Sequence, residues 1–167
     1  MNKTDLRTKA KNIRKNLPLE KISQKAVELI QANELYKNSK HIMIYYPMQY
    51  EINLLALLKD DKKFYLPRVN GKFLEVCPYK INDKLLKSDL NILEPTTKAV
   101  GNEILDLVIV PALMADYNNY RLGYGGGYYD RFINPNFKTI VVIPKDLCIE
   151  KLPIEKNDKK SDIVLII

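Results

Sequence analysis

The chain has 167 residues, of which 46% are hydrophobic and 28% are charged, and it carries a net charge of +7 at pH 7. These fractions are typical of a globular protein, and no apolar run approaches the roughly 20 residues that a membrane-spanning helix needs. The single histidine, His41, argues against hydrolases that use a Ser-His-Asp triad and against metal sites built from several histidines.

The amino-terminal half shows helical and strand patterns in turn. Apolar residues recur at helical spacing in residues 3–16, which predicts an amphipathic helix, and Pro18 ends it and opens a second helix. The stretch HIMIYYP predicts a buried strand that Pro47 stops, and INLLALLK predicts a short helix. Two further strands, KKFYLPRV and KFLEVCPY, flank Asn70-Gly71, a dipeptide suited to the positive φ angles of a tight hairpin turn.

The carboxy-terminal half is dominated by strands. Residues 81–103 show no strong pattern and are expected to be mostly irregular, whereas ILDLVIVPAL (residues 104–113) predicts a central strand covered on both faces. YYDRFI predicts the start of a helix, and KTIVVIP and DIVLII predict two more strands. Strands that alternate with helices indicate an α/β fold, a Rossmann-like three-layer sandwich in which residues 1–167 form one domain around a mainly parallel sheet.

A glycine-rich segment, NNYRLGYGGGYYDRF (residues 118–132), follows the predicted central strand. Four of the six glycines of the chain lie within five positions here. Glycine lets backbone N–H groups approach an anion, a helix amino terminus adds partial positive charge, and Arg121 offers a forked partner for phosphate. Because ligands bind beyond the carboxyl ends of parallel strands, this pattern predicts a phosphate-binding loop. The alternative is a glycine-rich surface turn, since the spacing matches neither common nucleotide-binding motif.

Basic and acidic side chains near this loop have two interpretations each. Lys3 and Arg7 lie one helical turn apart on a basic stripe that Lys11 and Arg14 continue, and this stripe is either a solvated face or part of an anion site. Asp130 is either a first-turn residue favoured by the helix dipole or a ligand of Mg²⁺, the ion expected where carboxylates are the available ligands. Tyr46 and Glu51 follow the first strand and suit a flat heterocycle with N–H donors, unless Glu51 merely starts the next helix.

The segment RLGYGGGYYDRF closely resembles the signature of the 5-formyltetrahydrofolate cyclo-ligase family. Three weaker similarities occur in the family's order along the whole chain. KTDLRTKAKNIR resembles its basic amino-terminal helix, YYPMQYEI its folate-contacting strand end, and LPIEKNDKKSDIV its carboxy-terminal segment. The resemblance implies an enzyme that uses ATP and Mg²⁺ to convert 5-formyltetrahydrofolate into 5,10-methenyltetrahydrofolate, with release of ADP and phosphate.

The resemblance also implies residue roles. It assigns metal binding to Asp130 and Asp158, and catalysis to Arg121, Tyr128 and Glu51. It assigns ATP binding to Lys3, Arg7, Arg121, Leu122, Gly123, Tyr124, Gly125, Gly126, Gly127, Tyr128 and Tyr129. It assigns folate binding to Tyr46, Glu51, Tyr124, Gly125, Gly126, Gly127 and Tyr128. Tyr124 and Gly126 occupy variable positions of the signature.

Two competing hypotheses use the same residues differently. The positive charge and the tyrosines near arginine also suit a nucleic-acid-binding module, although the glycine loop and the acidic residues would then have no role. A related enzyme acting on another formylated substrate is the third hypothesis. The cyclo-ligase hypothesis predicts a cytoplasmic monomer that binds small molecules and neither nucleic acid nor membrane. A charged amino terminus without an apolar segment and two cysteines outside any C-x-x-C motif agree with that location.

Overall fold

The computed structural model of the chain describes residues 1–167 and contains four α-helices and eleven β-strands. The helices are α1 (Lys3–Arg14), α2 (Leu19–Ala32), α3 (Glu34–Asn38) and α4 (Tyr128–Phe132). The strands are β1 (His41–Met43), β2 (Lys63–Asn70), β3 (Phe73–Tyr79), β4 (Leu85–Lys87), β5 (Leu93–Pro95), β6 (Leu107–Ile109), β7 (Met114–Asp116), β8 (Arg121–Leu122), β9 (Lys138–Ile143), β10 (Cys148–Ile149) and β11 (Ile163–Ile166). Short 3₁₀ helices cover Leu55–Lys59, Asn102–Ile104 and Lys145–Leu147.

One six-stranded sheet organises the molecule, with strand order β11-β9-β6-β1-β2-β3. All neighbouring strands in it are parallel except the antiparallel hairpin β2–β3 at one edge. A small three-stranded sheet, β10-β7-β8, and the ribbon β4–β5 lie outside it. The mainly parallel sheet predicted from the sequence is confirmed.

Side chains of the central strands alternate between two apolar cores, one on each face of the sheet. In β1, Ile42 packs in the same core as Ile30 of α2, whereas the next residue, Met43, shares a core with Leu6 of α1. Ile42, Met43 and Ile30 are fully buried, and burial of each such side chain stabilises the fold by about 1.5–3 kcal/mol. Helices therefore cover both faces of the sheet, which confirms the three-layer sandwich.

The first two helices begin where the sequence predicts. The Asn2 side chain accepts a hydrogen bond from the Asp5 N–H at 2.9 Å, and the Asp5 carboxylate accepts one from the Asn2 N–H, which forms a capping box. Pro18 was predicted in the first turn of the second helix. It is the N-cap of α2, and the helix begins one residue later at Leu19. None of the helices has both the length and the apolar character that crossing a lipid bilayer would require.

The single strand predicted over residues 104–113 is wrong. β6 ends at Ile109, and the chain leaves the central sheet before it enters β7 of the small sheet. Pro111 lies between the two strands and has no N–H to continue a hydrogen-bond ladder, which explains the break. The glycines at 123–127 consequently follow β8 of the small sheet, and not a strand of the main sheet.

Three other local predictions change in detail. The β2–β3 hairpin is confirmed, but Asn70 pairs with Phe73, so the two loop residues are Gly71 and Lys72. The helix predicted over residues 52–59 is a 3₁₀ helix that begins at Leu55. Residues 81–103, expected to be irregular, include the ribbon β4–β5.

Candidate active site

A cavity of about 1210 Å³ lies beyond the carboxyl ends of β1 and β6 and is lined by side chains that follow these strands, such as Tyr46 and Pro111. All the residues predicted to bind ligand or metal or to act in catalysis line it. They are Lys3, Arg7, Tyr46, Glu51, Arg121, Leu122, Gly123, Tyr124, Gly125, Gly126, Gly127, Tyr128, Tyr129, Asp130 and Asp158. The structure therefore brings together four segments that are far apart in the chain.

The glycine loop, residues 123–127, exposes backbone N–H groups to this cavity. Its N–H groups donate to no other group of the chain, while the carbonyls of Gly123, Gly126 and Gly127 accept hydrogen bonds from arginine residues. The Gly123 carbonyl accepts from Arg7 Nε at 2.9 Å, and the Gly126 carbonyl accepts from Arg131 Nη2 at 2.8 Å. Gly125 has φ +110°, a conformation that a residue with a Cβ rarely adopts. This arrangement leaves a row of donors suited to an anion.

The helix that follows the loop is shorter than the anion-site prediction assumed. Gly127 is the N-cap of α4 with φ +68°, and α4 contains only five residues, little more than one turn. Few peptide dipoles are aligned in so short a helix, so its amino terminus adds little positive charge. Cationic side chains must supply most of the positive potential at this end of the cavity.

Three cationic side chains surround the loop. Arg121 is 4% exposed, and its Nη2 lies 2.8 Å from Asp130 Oδ1. Lys3 Nζ lies 2.6 Å from Asp158 Oδ2, with the lysine side chain 17% exposed. Arg7 contacts the loop as described above. Lys3 and Arg7 thus line the cavity, and the alternative of a solvated basic face holds only for Lys11, which is exposed.

The two predicted metal ligands each use one carboxylate oxygen within the protein. Asp130 Oδ1 also accepts from the Lys159 N–H at 3.1 Å, and Asp158 Oδ2 also accepts from the Glu155 N–H at 2.7 Å. The second oxygen of each aspartate accepts no hydrogen bond from the chain. No group of three or more potential metal-binding side chains occurs. Two carboxylate oxygens completed by phosphate oxygens fit Mg²⁺, which binds proteins through few carboxylates.

Glu51 forms the other end of the cavity, where it is 7% exposed. Its Oε2 accepts from the Met48 N–H at 2.8 Å and its Oε1 accepts from the Tyr124 hydroxyl at 2.8 Å. Burial raises the pKa of Glu51, and these hydrogen bonds and the charge of Arg14 offset the rise only in part. Glu51 precedes the 3₁₀ helix at Leu55, so the interpretation that it merely starts a helix is wrong.

Tyr124 connects the two ends of the cavity. Its backbone belongs to the glycine loop, and its hydroxyl reaches Glu51, 73 positions away in the sequence. Burial and the negative charge of Glu51 raise the pKa of Tyr124 above its usual value, so the hydroxyl stays protonated and donates. The variable position of the glycine signature is thus occupied here by a side chain with a defined contact.

Several residues of the site escaped sequence reasoning. An apolar wall comes from the β2–β3 hairpin and the β4–β5 ribbon and includes Pro67, Val69, Leu74 and Leu93. Pro67 and Val69 are two positions apart in β2 and therefore lie on the same face of the strand. This spacing can be recognised in the sequence, but it does not indicate what covers that face. Arg131 of the glycine-loop segment lies at the cavity as well.

Known proteins of one family resemble this chain. The model of the 5-formyltetrahydrofolate cyclo-ligase family matches residues 1–167. The 5-formyltetrahydrofolate cyclo-ligase of Mus musculus is 28% identical over 155 residues, covering 80% of this chain and 76% of the mouse protein. That of Haemophilus influenzae is 28% identical over 176 residues, covering 92% and 91%. The solved structure of Aquifex aeolicus 5,10-methenyltetrahydrofolate synthetase is 29% identical with a TM-score of 0.86, covering 99% of this chain and 90% of that chain. The chain is therefore an enzyme of the 5-formyltetrahydrofolate cyclo-ligase family, as its glycine motif predicts.

Proposed function

We propose that this enzyme converts 5-formyltetrahydrofolate into 5,10-methenyltetrahydrofolate in a reaction that consumes ATP, requires Mg²⁺ and releases ADP and phosphate. One observation carries the proposal: a glycine loop with unpaired backbone N–H groups and a buried carboxylate share one cavity and are joined by the hydrogen bond from Tyr124 to Glu51. A site of this kind can hold a polyphosphate and a heterocycle next to each other.

The glycine-loop end of the cavity binds the nucleotide in this proposal. Lys3, Arg7 and Arg121 neutralise phosphate oxygens, and the N–H groups of residues 123–127 donate to them. The residues that flank the loop, Leu122, Tyr128 and Tyr129, shape the pocket around the nucleotide. Phosphoryl transfer depends on charge neutralisation and alignment more than on a strong base, which agrees with a cavity that histidine does not line.

The Glu51 end binds the folate. When ionised, Glu51 accepts N–H donors of the pterin ring through charge-assisted hydrogen bonds. Tyr46 packs against the ligand, and Tyr124, the loop glycines and Tyr128 contact it from the nucleotide side. A heterocycle held this way presents its formyl group towards the phosphates.

Asp130 and Asp158 would hold magnesium through the carboxylate oxygens that accept no hydrogen bond from the chain. A magnesium ion held there would supply positive charge against the negative charge that develops on the phosphates during transfer. The ion pairs with Arg121 and Lys3 keep each carboxylate oriented towards the glycine loop.

The reaction proceeds in two steps. An amide oxygen is a poor leaving group, so the formyl oxygen first attacks the γ-phosphorus, and the bond from that phosphorus to the β-bridging oxygen breaks to release ADP. N10 then attacks the formyl carbon, the carbon–oxygen bond breaks, phosphate leaves and N10 loses its proton as the ring closes. Arg121 and the loop N–H groups stabilise the charge on the transferring phosphoryl group, while Glu51 and Tyr128 fix the folate for both steps.

A spectrophotometric assay for the methenyl product tests the proposal. We expect product only when ATP and Mg²⁺ are both present, with one ADP formed for each methenyl product. ADP must also appear only in the presence of 5-formyltetrahydrofolate. Robust product formation without ATP contradicts the proposal, and turnover of a different formylated acceptor alone would favour the third hypothesis.

We also propose that the enzyme acts as a cytoplasmic monomer on these small molecules, without nucleic acid or membrane partners. Every residue assigned to the reaction comes from one chain, so the cavity needs no second subunit to complete it. Both cysteines are free, which agrees with a reducing compartment. Gel filtration tests the oligomeric state, and a filter-binding series across salt concentrations tests nucleic-acid binding.

A further inference from the structure

Arg14, at the carboxyl end of α1, is a buried cation without an ion pair. It is 4% exposed, and no carboxylate lies within ion-pair distance of it. Its Nη1 donates to the Tyr50 carbonyl at 3.0 Å, and its Nη2 donates to the Ala112 carbonyl. Its Nε has no hydrogen-bond partner. Burying an unpaired charge costs free energy because the charge loses its contact with water. We therefore looked for a functional role of Arg14 in its contacts.

The carbonyl partners of Arg14 place its charge beside the Glu51 end of the cavity. Tyr50 directly precedes Glu51, and Ala112 follows β6, so one guanidinium connects α1, the Glu51 turn and the chain beyond the central sheet. Tyr50 has φ +67°, an uncommon conformation for a residue with a side chain. The hydrogen bond to its carbonyl holds this turn in the conformation that directs Glu51 into the cavity.

Glu51 is surrounded by groups from four parts of the chain. Arg14 of α1 is the buried positive charge that acts on it, while Tyr45 after β1, Tyr124 of the glycine loop and Tyr129 of α4 are neutral hydroxyls. The positive field of Arg14 favours the ionised form of Glu51, against the effect of burial. Neither buried charge is paired directly, and each reduces the cost of the other.

We infer that Arg14 is a positioning residue for folate recognition, which fixes the Tyr50–Glu51 turn and places a buried positive charge beside Glu51, the proposed acceptor for the pterin N–H donors. The inference rests on the proposed role of Glu51 as the folate contact. It assigns a ligand-recognition role to a residue that does not line the cavity.

The geometry of α1 extends this role. Arg14 lies eleven residues after Lys3, which places it within about 20° of the same helix face and about 16 Å further along the axis. Lys3 and Arg7 contact the nucleotide end of the cavity, and Arg14 supports the folate end. One rigid helix therefore sets the separation between the two ends.

The test compares Arg14→Gln and Arg14→Lys with a matched control, Lys11→Gln, which removes the same charge from an exposed position of α1. The measurements are kcat and the KM values for folate and ATP between pH 5.5 and pH 9. For Arg14→Gln we expect the folate KM to rise about tenfold at neutral pH, with kcat and the ATP KM within about twofold of the wild type. The midpoint of the folate KM profile should move to higher pH, because Glu51 loses the charge that favours ionisation. Lys11→Gln should match the wild type.

Two further measurements separate positioning from general structural support. In a Glu51→Gln background, Arg14→Gln should change the folate KM by less than about threefold, because the group through which it acts is gone. Arg14→Lys keeps the charge and should restore the wild-type pH midpoint while the folate KM stays severalfold raised. If Arg14→Gln does not fold, the folate KM and the pH midpoint of Arg14→Lys test the inference instead.

The inference is overturned if folded Arg14→Gln shows the wild-type folate KM and pH midpoint, or if both KM values rise together without a change of midpoint. When Arg14→Gln does not fold, a wild-type folate KM in Arg14→Lys overturns it too. A wild-type enzyme without ATP-dependent turnover, or a Glu51→Gln variant with unchanged folate KM, would instead disprove the proposed function on which it rests. The two failures are thus distinguishable in one set of proteins.

Discussion

The two ends of the cavity are built from different groups. At the glycine loop, donors come from the backbone, and the cations there lie in contact with partners such as Asp130 and Asp158. At the Glu51 end, recognition depends on a buried carboxylate and a buried guanidinium that do not touch each other. Backbone donors do not titrate, whereas a buried carboxylate does. The backbone donors of the nucleotide end should therefore add no pH dependence of their own, whereas Glu51 should make the folate end sensitive to pH.

The largest effect is expected from Arg121→Ala at the nucleotide end. The variant loses a buried guanidinium next to the loop, so we expect kcat/KM for ATP to fall by about 10²-fold or more, as when a positioned electrostatic donor is removed. The fold should persist, because Asp130 retains its hydrogen bond from the Lys159 N–H. Steady-state kinetics at varied ATP measures the change, with Arg68→Ala, an arginine outside the cavity lining, as control. Near-normal ATP kinetics would remove Arg121 from the phosphate site.

A smaller, selective effect is expected from Glu51→Gln. Hydrogen bonds to a charged group contribute about 1.5–3 kcal/mol, so we expect the folate KM to rise at least about tenfold and the ATP KM to change less than about twofold. The pH dependence of the folate KM should flatten, because the titrating group is gone. Titration of each substrate at fixed saturating levels of the other separates the two constants. A selective loss of ATP affinity would show that Glu51 contacts the nucleotide and not the folate.

Tyr124→Phe should have a still smaller effect on the same constant. The variant keeps the ring and loses one hydrogen bond to Glu51, which contributes about 1 kcal/mol, so we expect roughly a fivefold rise in folate KM. Because this hydrogen bond lowers the pKa of Glu51, the pH midpoint should also move upward. Tyr117→Phe at an exposed site outside the cavity is the matched control. An unchanged midpoint would show that the hydroxyl does not govern Glu51.

The smallest effect concerns stability. The folded protein raises the pKa of Glu51 above its ordinary value, so it binds more protons than the unfolded chain between the two values. The free energy of unfolding contributed by this group is present below the ordinary pKa and is lost as pH rises through the raised pKa. Glu51→Gln should lack this part of the slope. Urea denaturation of both proteins from pH 4 to pH 8 measures the free energy of unfolding at each pH. If this free energy varies with pH in the same way for both proteins, the raised pKa of Glu51 is contradicted.

Local motifs explain what could be predicted from the sequence. The glycine loop and α1 are continuous segments, and the residue types that suit a binding site are close together in each of them. Arg121, the loop glycines and Lys3 could therefore be predicted to line one site. The alternation of strands and helices was sufficient for the three-layer fold. The break between β6 and β7 was missed because apolar residues flank Pro111 on both sides and hide it in the pattern.

Long-range packing explains what could not be predicted. Arg14 and Ala112 are 98 positions apart, and no spacing in the sequence indicates that one charge of the basic stripe is buried while Lys11 is exposed. The apolar wall of the cavity depends on the ribbon β4–β5, whose two short strands give too little periodicity to recognise. The glycine loop that lines the cavity could thus be predicted from the sequence, whereas the contacts that support the buried charges could not.

The bridge from Tyr124 to Glu51 has a thermodynamic consequence. Any ligand that displaces the loop must alter the hydrogen bonding of Glu51, so occupancy at one end changes affinity at the other. Linkage makes this effect reciprocal: the factor by which nucleotide changes folate dissociation must equal the factor by which folate changes nucleotide dissociation. A single phenolic oxygen would then make the binding of the two substrates cooperative or mutually opposed.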